Sequence, residues 1–334
     1  MEKKDITGFT LAEIEVEVQL LGYSAALAKD ISAWIYRRGC KSFFDMEGIP
    51  FDLRRKLDER FALTNTLPVK FQESKDGTKK YLFKTIQRNP FESAYMPGVK
   101  RNTLCISIQS GCRMGCGFCY TGALGLRENL TTSQIVGQLI AIPEREKINR
   151  LVIMGMGEPL DNPDPLFKSF EILNAHWGLA FGAANITLST VGILPMLGKL
   201  IDSRSCNVAI SLHSPFPEQR KKLIPVEAEF PIHGIIDFLG QNPLKKPLRL
   251  SFEYVILPGI NNSIDHAAET VNLLANLSCH VNVIPLNTPK EISNNQEFAR
   301  EFQRKLNSLG QPATLRISRG NDIDAACGMM AGGD

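Results

Sequence analysis

The sequence has 334 residues, of which 43% are hydrophobic and 22% are charged, the ordinary balance of a soluble globular protein with room for two domains. Its net charge of +3 is too small to establish a nucleic-acid partner, and no stretch approaches the roughly 20 apolar residues of a membrane span. The charged N-terminus, Met1 to Asp5, leads into no apolar signal core, so we expect a cytoplasmic protein that does not contact a membrane. In that reducing compartment the eight cysteines are better interpreted as metal ligands, catalytic thiols or buried apolar residues than as structural disulfides.

Residues 1–65 carry the hydrophobic spacing of helices. The pattern predicts helices over 11–21, where Thr10 is a candidate N-cap, over 25–36 and over 51–61. Basic residues are concentrated in the first quarter of the chain: Arg37, Arg38, Arg54, Arg55, Lys56, Lys79 and Lys80. This distribution is consistent with a small helical accessory domain that binds RNA, although charged residues on solvated helix faces are the commoner explanation.

Residues 66–97 have the pattern of a β-hairpin. Strand-like runs at 69–72 and 80–85 flank the segment 74–78, Ser-Lys-Asp-Gly-Thr, whose polar and glycine residues are typical of a turn. We expect this hairpin to link the helical domain to the remainder of the chain.

From residue 98 to residue 334, apolar β-branched runs alternate with helical patterns. Strands are predicted at 104–108, 151–154, 186–190, 208–212, 250–256 and 281–284, and helices at 132–142, 194–201, 232–239, 264–277 and 298–309. This alternation is typical of parallel strands joined by right-handed crossovers. About six such units predict an α/β fold with a partial (β/α)6 barrel, in which functional residues gather at the C-terminal ends of the strands.

Three cysteines with the spacing C-x3-C-x2-C follow the first strand of this region: Cys112, Cys116 and Cys119. Three thiolates this close ligate three irons of a [4Fe–4S] cluster and leave the fourth iron for a small molecule. A structural zinc site needs four ligands, and no fourth Cys or His follows at zinc-finger spacing, so a zinc loop is the weaker interpretation. The spacing resembles the signature of the radical S-adenosylmethionine (SAM) superfamily, in which SAM binds the open iron and is cleaved to a 5′-deoxyadenosyl radical.

Polar and glycine residues follow the other strands at the end where chemistry is expected. Gly157 and Glu158 come after the second strand, where glycine lets the backbone approach a ligand and a carboxylate can bind the ammonium group of SAM. The remaining strand ends carry Ser189, Ser211, His213 and Asn287. Such residues also cap helices and form tight turns, so each is a weak indication when taken alone.

Two further cysteines lie near these motifs. Cys105 is inside the first core strand, shortly before the three-cysteine motif. Cys327 lies near the C-terminus among small residues and carboxylates, which would let its side chain reach the mouth of the barrel. A buried, inert cysteine is the usual alternative for either residue.

The order of these motifs over nearly the whole chain resembles a family of bacterial RNA methyltransferases. The matching segments are 34–36 (Trp-Ile-Tyr), 74–83 (Ser-Lys-Asp-Gly-Thr-Lys-Lys-Tyr-Leu-Phe), Glu92, 154–159 (Met-Gly-Met-Gly-Glu-Pro), 211–215 (Ser-Leu-His-Ser-Pro) and 322–328 (Asp-Ile-Asp-Ala-Ala-Cys-Gly). They are similar to the adenine-C2 methyltransferases of 23S rRNA and tRNA (RlmN type), and to the sister enzymes that methylate adenine C8 (Cfr type).

The resemblance implies a role for each spare thiol. Because adenine C2 is electron-poor and cannot attack the methyl group of SAM, the methyl group has to pass through a covalent carrier. In this family, the residue matching Cys327 takes a methyl group from one SAM, and the radical from a second SAM activates that group for addition to adenine. Glu92 matches the base, and Cys105 matches the thiol that attacks Cys327 and releases the product with a transient disulfide.

The resemblance also implies the SAM site and the partners. The residues that match the SAM site are Gly157, Glu158, Ser189, Ser211, Leu212, His213 and Asn287. The implied partners are 23S rRNA, tRNA or both, bound through the N-terminal helices, and an electron donor such as flavodoxin or ferredoxin. The target adenine must leave its stack to reach the barrel mouth, and we expect the enzyme to be a monomer.

Two segments bear on substrate choice and regiochemistry. After Asn287, residues 288–296 form a shorter and more polar segment than the proline- and glycine-rich loop of most members, beside the expected RNA entrance. The segment 318–322, Ser-Arg-Gly-Asn-Asp, is more similar to the sequence of the C2 enzymes at this position, so we expect methylation at C2 rather than C8.

Two other classes of function stay open at this point. A different radical SAM enzyme, acting on a protein or a small molecule, would explain the three-cysteine motif but leave Cys105, Cys327 and the helical region without roles. A non-enzymatic RNA-binding protein with a structural metal would instead be colourless and bind one zinc ion.

Overall fold

The computed structural model describes residues 3–63, 66–287 and 292–330. The first range contains β1 (Lys4–Asp5), α1 (Leu11–Leu20), α2 (Leu27–Ser32), α3 (Phe51–Arg60) and β2 (Phe61–Ala62), with a π-helical turn over Ala33–Arg38 that continues α2. Thr10 caps α1 as predicted. Its hydroxyl accepts a hydrogen bond from Glu13 N at 3.3 Å, and the Glu13 carboxylate accepts one from Thr10 N at 2.8 Å. The three helical segments predicted for this region are therefore present.

The remaining described residues include twelve strands. They are β3 (Lys70–Glu73), β4 (Lys79–Lys84), β5 (Pro90–Met96), β6 (Thr103–Ile106), β7 (Gln109–Cys112), β8 (Gly125–Asn129), β9 (Arg150–Ile153), β10 (Ile186–Thr190), β11 (Asn207–Ser211), β12 (Leu250–Ile256), β13 (Cys279–Pro285) and β14 (Ala313–Leu315). Ten of them make one mixed sheet in the order β14-β13-β12-β11-β10-β9-β6-β5-β4-β3, and β7 pairs with β8 in a separate hairpin.

The sheet has a parallel part and an antiparallel part. Strands β6 and β9 to β14 are parallel, so the six predicted strands are present with one short addition, β14. Strands β3 and β4 form the predicted hairpin. Strand β5, which was not predicted, pairs with β4 on one side and with β6 on the other. Strands β3, β4 and β5 therefore extend the sheet that contains the parallel strands.

Helices cover the parallel part of the sheet. They are α4 (Tyr120–Ala123), α5 (Thr132–Ile140), α6 (Pro163–Asn174), α7 (Leu194–Ser203), α8 (Pro217–Leu223), α9 (Ile232–Gln241), α10 (Ile264–Leu274) and α11 (Ile292–Ser308). The five predicted helices correspond to α5, α7, α9, α10 and α11, and α6 is the principal one that was missed. Apolar side chains from both sheet and helices form the main core, in which Leu188, Phe252 and Val283 are fully buried.

A second, smaller core lies among the N-terminal helices. Ile14, Ile31 and Leu53 are fully buried in it, and Val136 of α5 and Ile172 of α6 complete it. The N-terminal region is therefore packed directly on the helices that flank β9.

Two sequence predictions concern the polar segment after Asn287 and membrane-spanning helices. Residues 288–291, the first part of the polar segment after Asn287, lie outside the described residues. Across the described ranges, every helix is too short or too polar to cross a membrane.

Candidate active site at the ends of the parallel strands

A cavity of about 200 Å³ lies at the carboxyl ends of the parallel strands, enclosed by the cysteine loop and the C-terminal segment. The predicted site residues that line it are Cys105, Cys112, Cys116, Cys119, Gly157, Glu158, Ser189, Ser211, His213, Asn287 and Cys327. Leu212 and Glu92 are buried but are not part of the cavity wall. The parallel topology thus brings residues from seven separate parts of the sequence to one site.

The cysteine loop is connected to both neighbouring segments. Cys112 is the last residue of β7, and Cys119 immediately precedes α4. Tyr120 N donates a hydrogen bond to Gly328 O at 2.9 Å, so the loop is tied to the segment that carries Cys327.

The three loop thiols fit the ligand set of a [4Fe–4S] cluster. All are free, and burial together with the charges of Cys119 and Cys112 raises the pKa of Cys116, so the three groups act on one another. Burial also raises the pKa of Cys112 to about 12. Thiolates side by side in such a site need compensating positive charge, which iron supplies. Among the described residues, no three His, Cys, Asp or Glu side chains are grouped closely enough to hold a single metal ion.

Glu158 is 3% exposed, and three donors fix its carboxylate. Thr190 Oγ1 and Leu160 N donate to Oε1 at 2.5 and 3.0 Å, and Val191 N donates to Oε2 at 3.0 Å. Burial raises its pKa to about 7 against the opposing effect of these hydrogen bonds. An ammonium group beside this carboxylate would favour its charged form, so the site suits a cationic ligand.

The turn before Glu158 requires glycine at position 157. Gly157 has a φ of +99°, and a Cβ atom there would lie 2.5 Å from Cβ of Gln109. The Gln109 side chain accepts a hydrogen bond from Glu158 N at 2.8 Å. The glycine therefore allows the close packing that fixes the Glu158 backbone.

Arg220, which no motif indicated, ties the ends of β10 and β11 together. It is fully buried, and it donates to Ser211 O at 2.8 Å, Leu212 O at 3.1 Å and Val191 O at 3.3 Å. Its charge is balanced by an ion pair with the buried Glu227. Leu212 thus contributes its carbonyl group to this network, while its side chain belongs to the main core.

His213 is held as a neutral ring at the end of β11. Its Nδ1 accepts a hydrogen bond from Val255 N at 2.9 Å, and its ring packs edge-on against Phe118 with centroids 4.7 Å apart. Burial and the nearby Arg220 lower its pKa to about 3. At neutral pH the single ring proton is therefore on Nε2.

Asn287 joins the end of β13 to the C-terminal segment. Its amide nitrogen donates to Cys327 O at 3.0 Å, and its Oδ1 accepts a hydrogen bond from Ser318 Oγ at 2.5 Å. The residue predicted to bind SAM therefore also fixes the backbone that carries Cys327.

Cys105 and Cys327 share the cavity wall with two charged residues that no motif indicated. Burial and the charge of Cys327 raise the pKa of Cys105 to about 12, and Arg316 opposes this shift. Arg316 Nη1 lies 3.5 Å from Glu253 Oε2 and 3.1 Å from Met154 Sδ. The guanidinium group of Arg316 therefore favours the thiolate form of Cys105 against the effect of burial.

Glu92 lies on β5, set back from the cavity. It is 1% exposed, and its Oε1 is 3.1 Å from Lys80 Nζ. It shares a strand face with Ala94, which pairs with Cys105, and with Met96, which lines the cavity. Glu92 is therefore on the cavity side of the sheet without being part of the wall.

Two family models match different parts of the chain. The model of the radical SAM superfamily matches residues 106–274, and the model of the ribosomal RNA large subunit methyltransferase N-terminal domain matches residues 4–63. The chain is 40% identical to the "Probable dual-specificity RNA methyltransferase RlmN" of Bacteroides fragilis, over 99% of this chain and 97% of that protein. It is 36% identical to the "Dual-specificity RNA methyltransferase RlmN" of Geotalea uraniireducens, over 99% of this chain and 98% of that protein.

The chain belongs to the RlmN family of radical SAM RNA methyltransferases. A crystal structure of a radical SAM methyltransferase from Sphaerobacter thermophilus has the same fold, with a TM-score of 0.91 at 36% identity over 99% of this chain and 100% of that one. RlmN enzymes use a [4Fe–4S] cluster and two molecules of SAM per turnover. Membership of the RlmN family favours the RlmN-type interpretation over the Cfr-type alternative.

Proposed function

We propose that this enzyme methylates C2 of an adenine in 23S rRNA, tRNA or both, with Cys327 as the methyl carrier and Cys105 as the resolving thiol. The observation that carries the proposal is that both thiols line the cavity that Cys112, Cys116 and Cys119 also line. RNA as the substrate class is supported by the name of the relatives, dual-specificity RNA methyltransferase.

The residues of the cavity would hold both cofactors. Cys112, Cys116 and Cys119 would ligate the cluster, which when bound supplies the electron that cleaves SAM. The residues proposed for SAM are Gly157, Glu158, Ser189, Ser211, Leu212, His213 and Asn287. The fixed carboxylate of Glu158 binds the ammonium group of SAM, and Leu212 acts through the backbone that Arg220 holds.

The chain's own groups then carry out the transfer. The Cys327 thiolate attacks the methyl group of SAM, so that an S–C bond forms on Cys327 as the sulfonium–methyl bond breaks. The radical from the second SAM would remove a hydrogen atom from the S-methyl group, and the carbon then adds to adenine C2. Glu92 accepts the proton that leaves C2, and the one electron released as the ring regains its aromaticity would return to the cluster. The Cys105 thiolate attacks Cys327 Sγ, and the electron pair of the broken C–S bond stays on the product carbon, which takes a proton. Cytosolic thiols reduce the disulfide that remains.

The N-terminal region would bind the RNA. We assign residues 1–65 to an RNA-binding helical domain, 66–97 to a hairpin that links it, and 98–334 to a radical SAM core that curves as a partial barrel around the cavity. Arg38 lies over the Trp34 ring at 4.4 Å from its centroid, and Arg54 lies over the Phe51 ring at 5.6 Å from its centroid. Basic and aromatic groups of this kind suit backbone and base contacts with RNA. We propose that the enzyme is a cytoplasmic monomer, reduced by a flavodoxin or a ferredoxin.

The two cysteines give the sharpest test of this function. Cys105→Ala should still methylate Cys327 but accumulate a covalent RNA–protein adduct, because the thiol that breaks the C–S bond is missing. Cys327→Ala should form no adduct. Denaturing gels of protein expressed in cells, run with and without ribonuclease, separate the two results. We expect turnover in either variant to fall by at least about a thousandfold.

Cys40→Ala is the matched control, because Cys40 is a half-buried free thiol outside the cavity. It should retain turnover and trap no RNA. Normal turnover by Cys105→Ala, or trapped RNA with Cys327→Ala, would show that the two-thiol mechanism is wrong for this chain.

The position of methylation can be measured separately. Mass spectrometry of rRNA and tRNA from a deletion strain and its parent should show loss of 2-methyladenosine, and the RNA class that loses it identifies the substrate. Finding 8-methyladenosine as the sole missing product would overturn the C2 assignment.

A further inference from the structure

The turn of the β3–β4 hairpin is bonded to the C-terminal segment, 243 positions away in the sequence. Asp76 Oδ2 accepts hydrogen bonds from Arg319 Nε at 3.0 Å and from Gly320 N at 3.1 Å, and Asp76 O accepts one from Arg319 Nη2 at 2.9 Å. Burial alone would raise the pKa of Asp76, but hydrogen bonds from Thr78 and Gly320 hold it well below its usual range. The carboxylate therefore stays charged at neutral pH.

Two further hydrogen bonds are donated by the hairpin turn to the C-terminal segment. Asp322 Oδ1 accepts a hydrogen bond from Ser74 Oγ at 2.5 Å, and Asp322 Oδ2 accepts one from Lys75 N at 3.2 Å. Gly320 has a φ of +66°, and a Cβ atom there would lie 2.9 Å from Thr78 Cγ2, so the two segments touch where glycine stands. We call the five bonds that Asp76 and Asp322 accept across these segments the hairpin clasp.

The clasp precedes Cys327 by a few residues of irregular backbone. Between β14 and Met330 the described chain has one short 3-10 turn, Asn321–Ile323, and no sheet ladder. Beyond the clasp, Asn287 holds Cys327 O, and Tyr120 N holds Gly328 O. A segment without a ladder keeps one conformation only through contacts of this kind.

The clasp is also easier to open than the core. The side chains of Arg319 and Asp76 are 32% and 37% exposed, so water can replace their mutual bonds. This suits a carrier residue that has to meet three different partners in turn: a methyl donor, an adenine and a second thiol.

We propose that Asp76 and Asp322 are positioning residues that hold the Cys327 segment over the cavity, so that the hairpin turn sets where the methyl carrier stands. The proposal rests on the proposed function for the role of Cys327, but the clasp itself can be tested without turnover. It also gives a physical role to the motifs 74–78 and 318–322, which the chemistry of the cavity does not use.

The primary measurement is amide hydrogen exchange of the purified holoenzyme. Asp76→Ala should raise exchange in peptides that cover residues 319–330 by about tenfold, because it removes the two bonds that the carboxylate accepts from Arg319 Nε and Gly320 N and leaves only the bond to the backbone oxygen of residue 76. Asp76→Asn keeps an acceptor oxygen for Gly320 N and should give a smaller increase. Asp45→Ala is the matched control. Asp45 accepts hydrogen bonds from Lys41 N and Ser42 N in another loop, so exchange at 319–330 should not change.

Two further measurements separate positioning from general damage. In Asp76→Ala, the fraction of Cys327 that carries a methyl group and the kcat with RNA should each fall by about tenfold, with the KM for RNA unchanged. Unchanged exchange at 319–330 in Asp76→Ala would overturn the clasp. A rise in KM with normal kcat would overturn the positioning role, since it would make the turn an RNA contact. An unmethylated Cys327 in the wild-type enzyme would instead refute the proposed function and leave the exchange result standing.

Discussion

The two sides of the cavity are built in different ways. On one side, the ends of β10 and β11 are regular backbone fixed by Arg220, which is fully buried and paired with the buried Glu227. On the other side, residues 316–330 have almost no regular structure and are held by partly exposed side chains such as Arg319 and Asp76.

This difference matches what each side has to do. The groups that hold a cluster and SAM need one geometry, and a low-dielectric network of hydrogen bonds provides it. If Cys327 is the methyl carrier, as proposed, it needs several positions within one catalytic cycle, and bonds that water can replace permit this. We call the buried, regular side the fixed wall, and the irregular side held by partly exposed bonds the movable wall.

The largest effect should come from removing a cluster ligand. Cys112→Ala, Cys116→Ala or Cys119→Ala should abolish the iron–sulfur absorbance and SAM cleavage, because a cluster with two protein ligands is not retained. Iron content, visible absorption and 5′-deoxyadenosine formation measure this under anaerobic conditions. Stoichiometric iron together with retained cleavage in any one of these variants would refute the assignment of the ligands.

The next largest effect should come from Arg220 in the fixed wall. Arg220→Met leaves Glu227 buried without its partner and should lower the free energy of unfolding by about 3–5 kcal/mol. Urea denaturation measures the change. The double variant Arg220→Met, Glu227→Leu should recover part of the loss because it removes both charges, and no recovery would show that the pair acts through packing alone.

The smallest effect should come from the movable wall. Arg319→Met removes a partly exposed ion pair and should lower the free energy of unfolding by less than about 1 kcal/mol. The same denaturation experiment measures it beside Arg220→Met. A loss as large as that of Arg220→Met would erase the distinction between the two walls.

The parallel strands were predictable because strands that are buried on both faces consist of nearly continuous apolar residues. The predicted strands at 186–190 and 250–256 have the same bounds as β10 and β12. β5 includes the charged Glu92, which interrupts an apolar strand pattern, and the prolines at the first positions of β5 and α6 are compatible with a strand or a helix without indicating one. Tertiary contacts decided both elements.

The cavity was predictable where its residues belong to motifs at the ends of strands. The three-cysteine spacing and the glycines of 155–157 each indicate a ligand-binding function, and the carboxyl ends of parallel strands lie next to one another in the fold. Arg220 and Arg316 were not predicted, since no local pattern indicates that a helix or loop arginine reaches another strand. The placement of Cys105 was predicted, but Cys279 also lies on a core strand, at the first residue of β13 and away from the cavity wall.

The shared core between the N-terminal helices and α5 and α6 has a mechanical consequence. Rotating those helices as an independent body would uncover Val136 and Ile172 and break the bonds from Arg145 Nη2 to Tyr36 O and Arg37 O. The N-terminal helices are thus held at a fixed distance from the cavity. If they bind the RNA as proposed, an adenine can enter the cavity only when the fold of its RNA places it at that distance from the bound part. The enzyme would then select its targets by this distance.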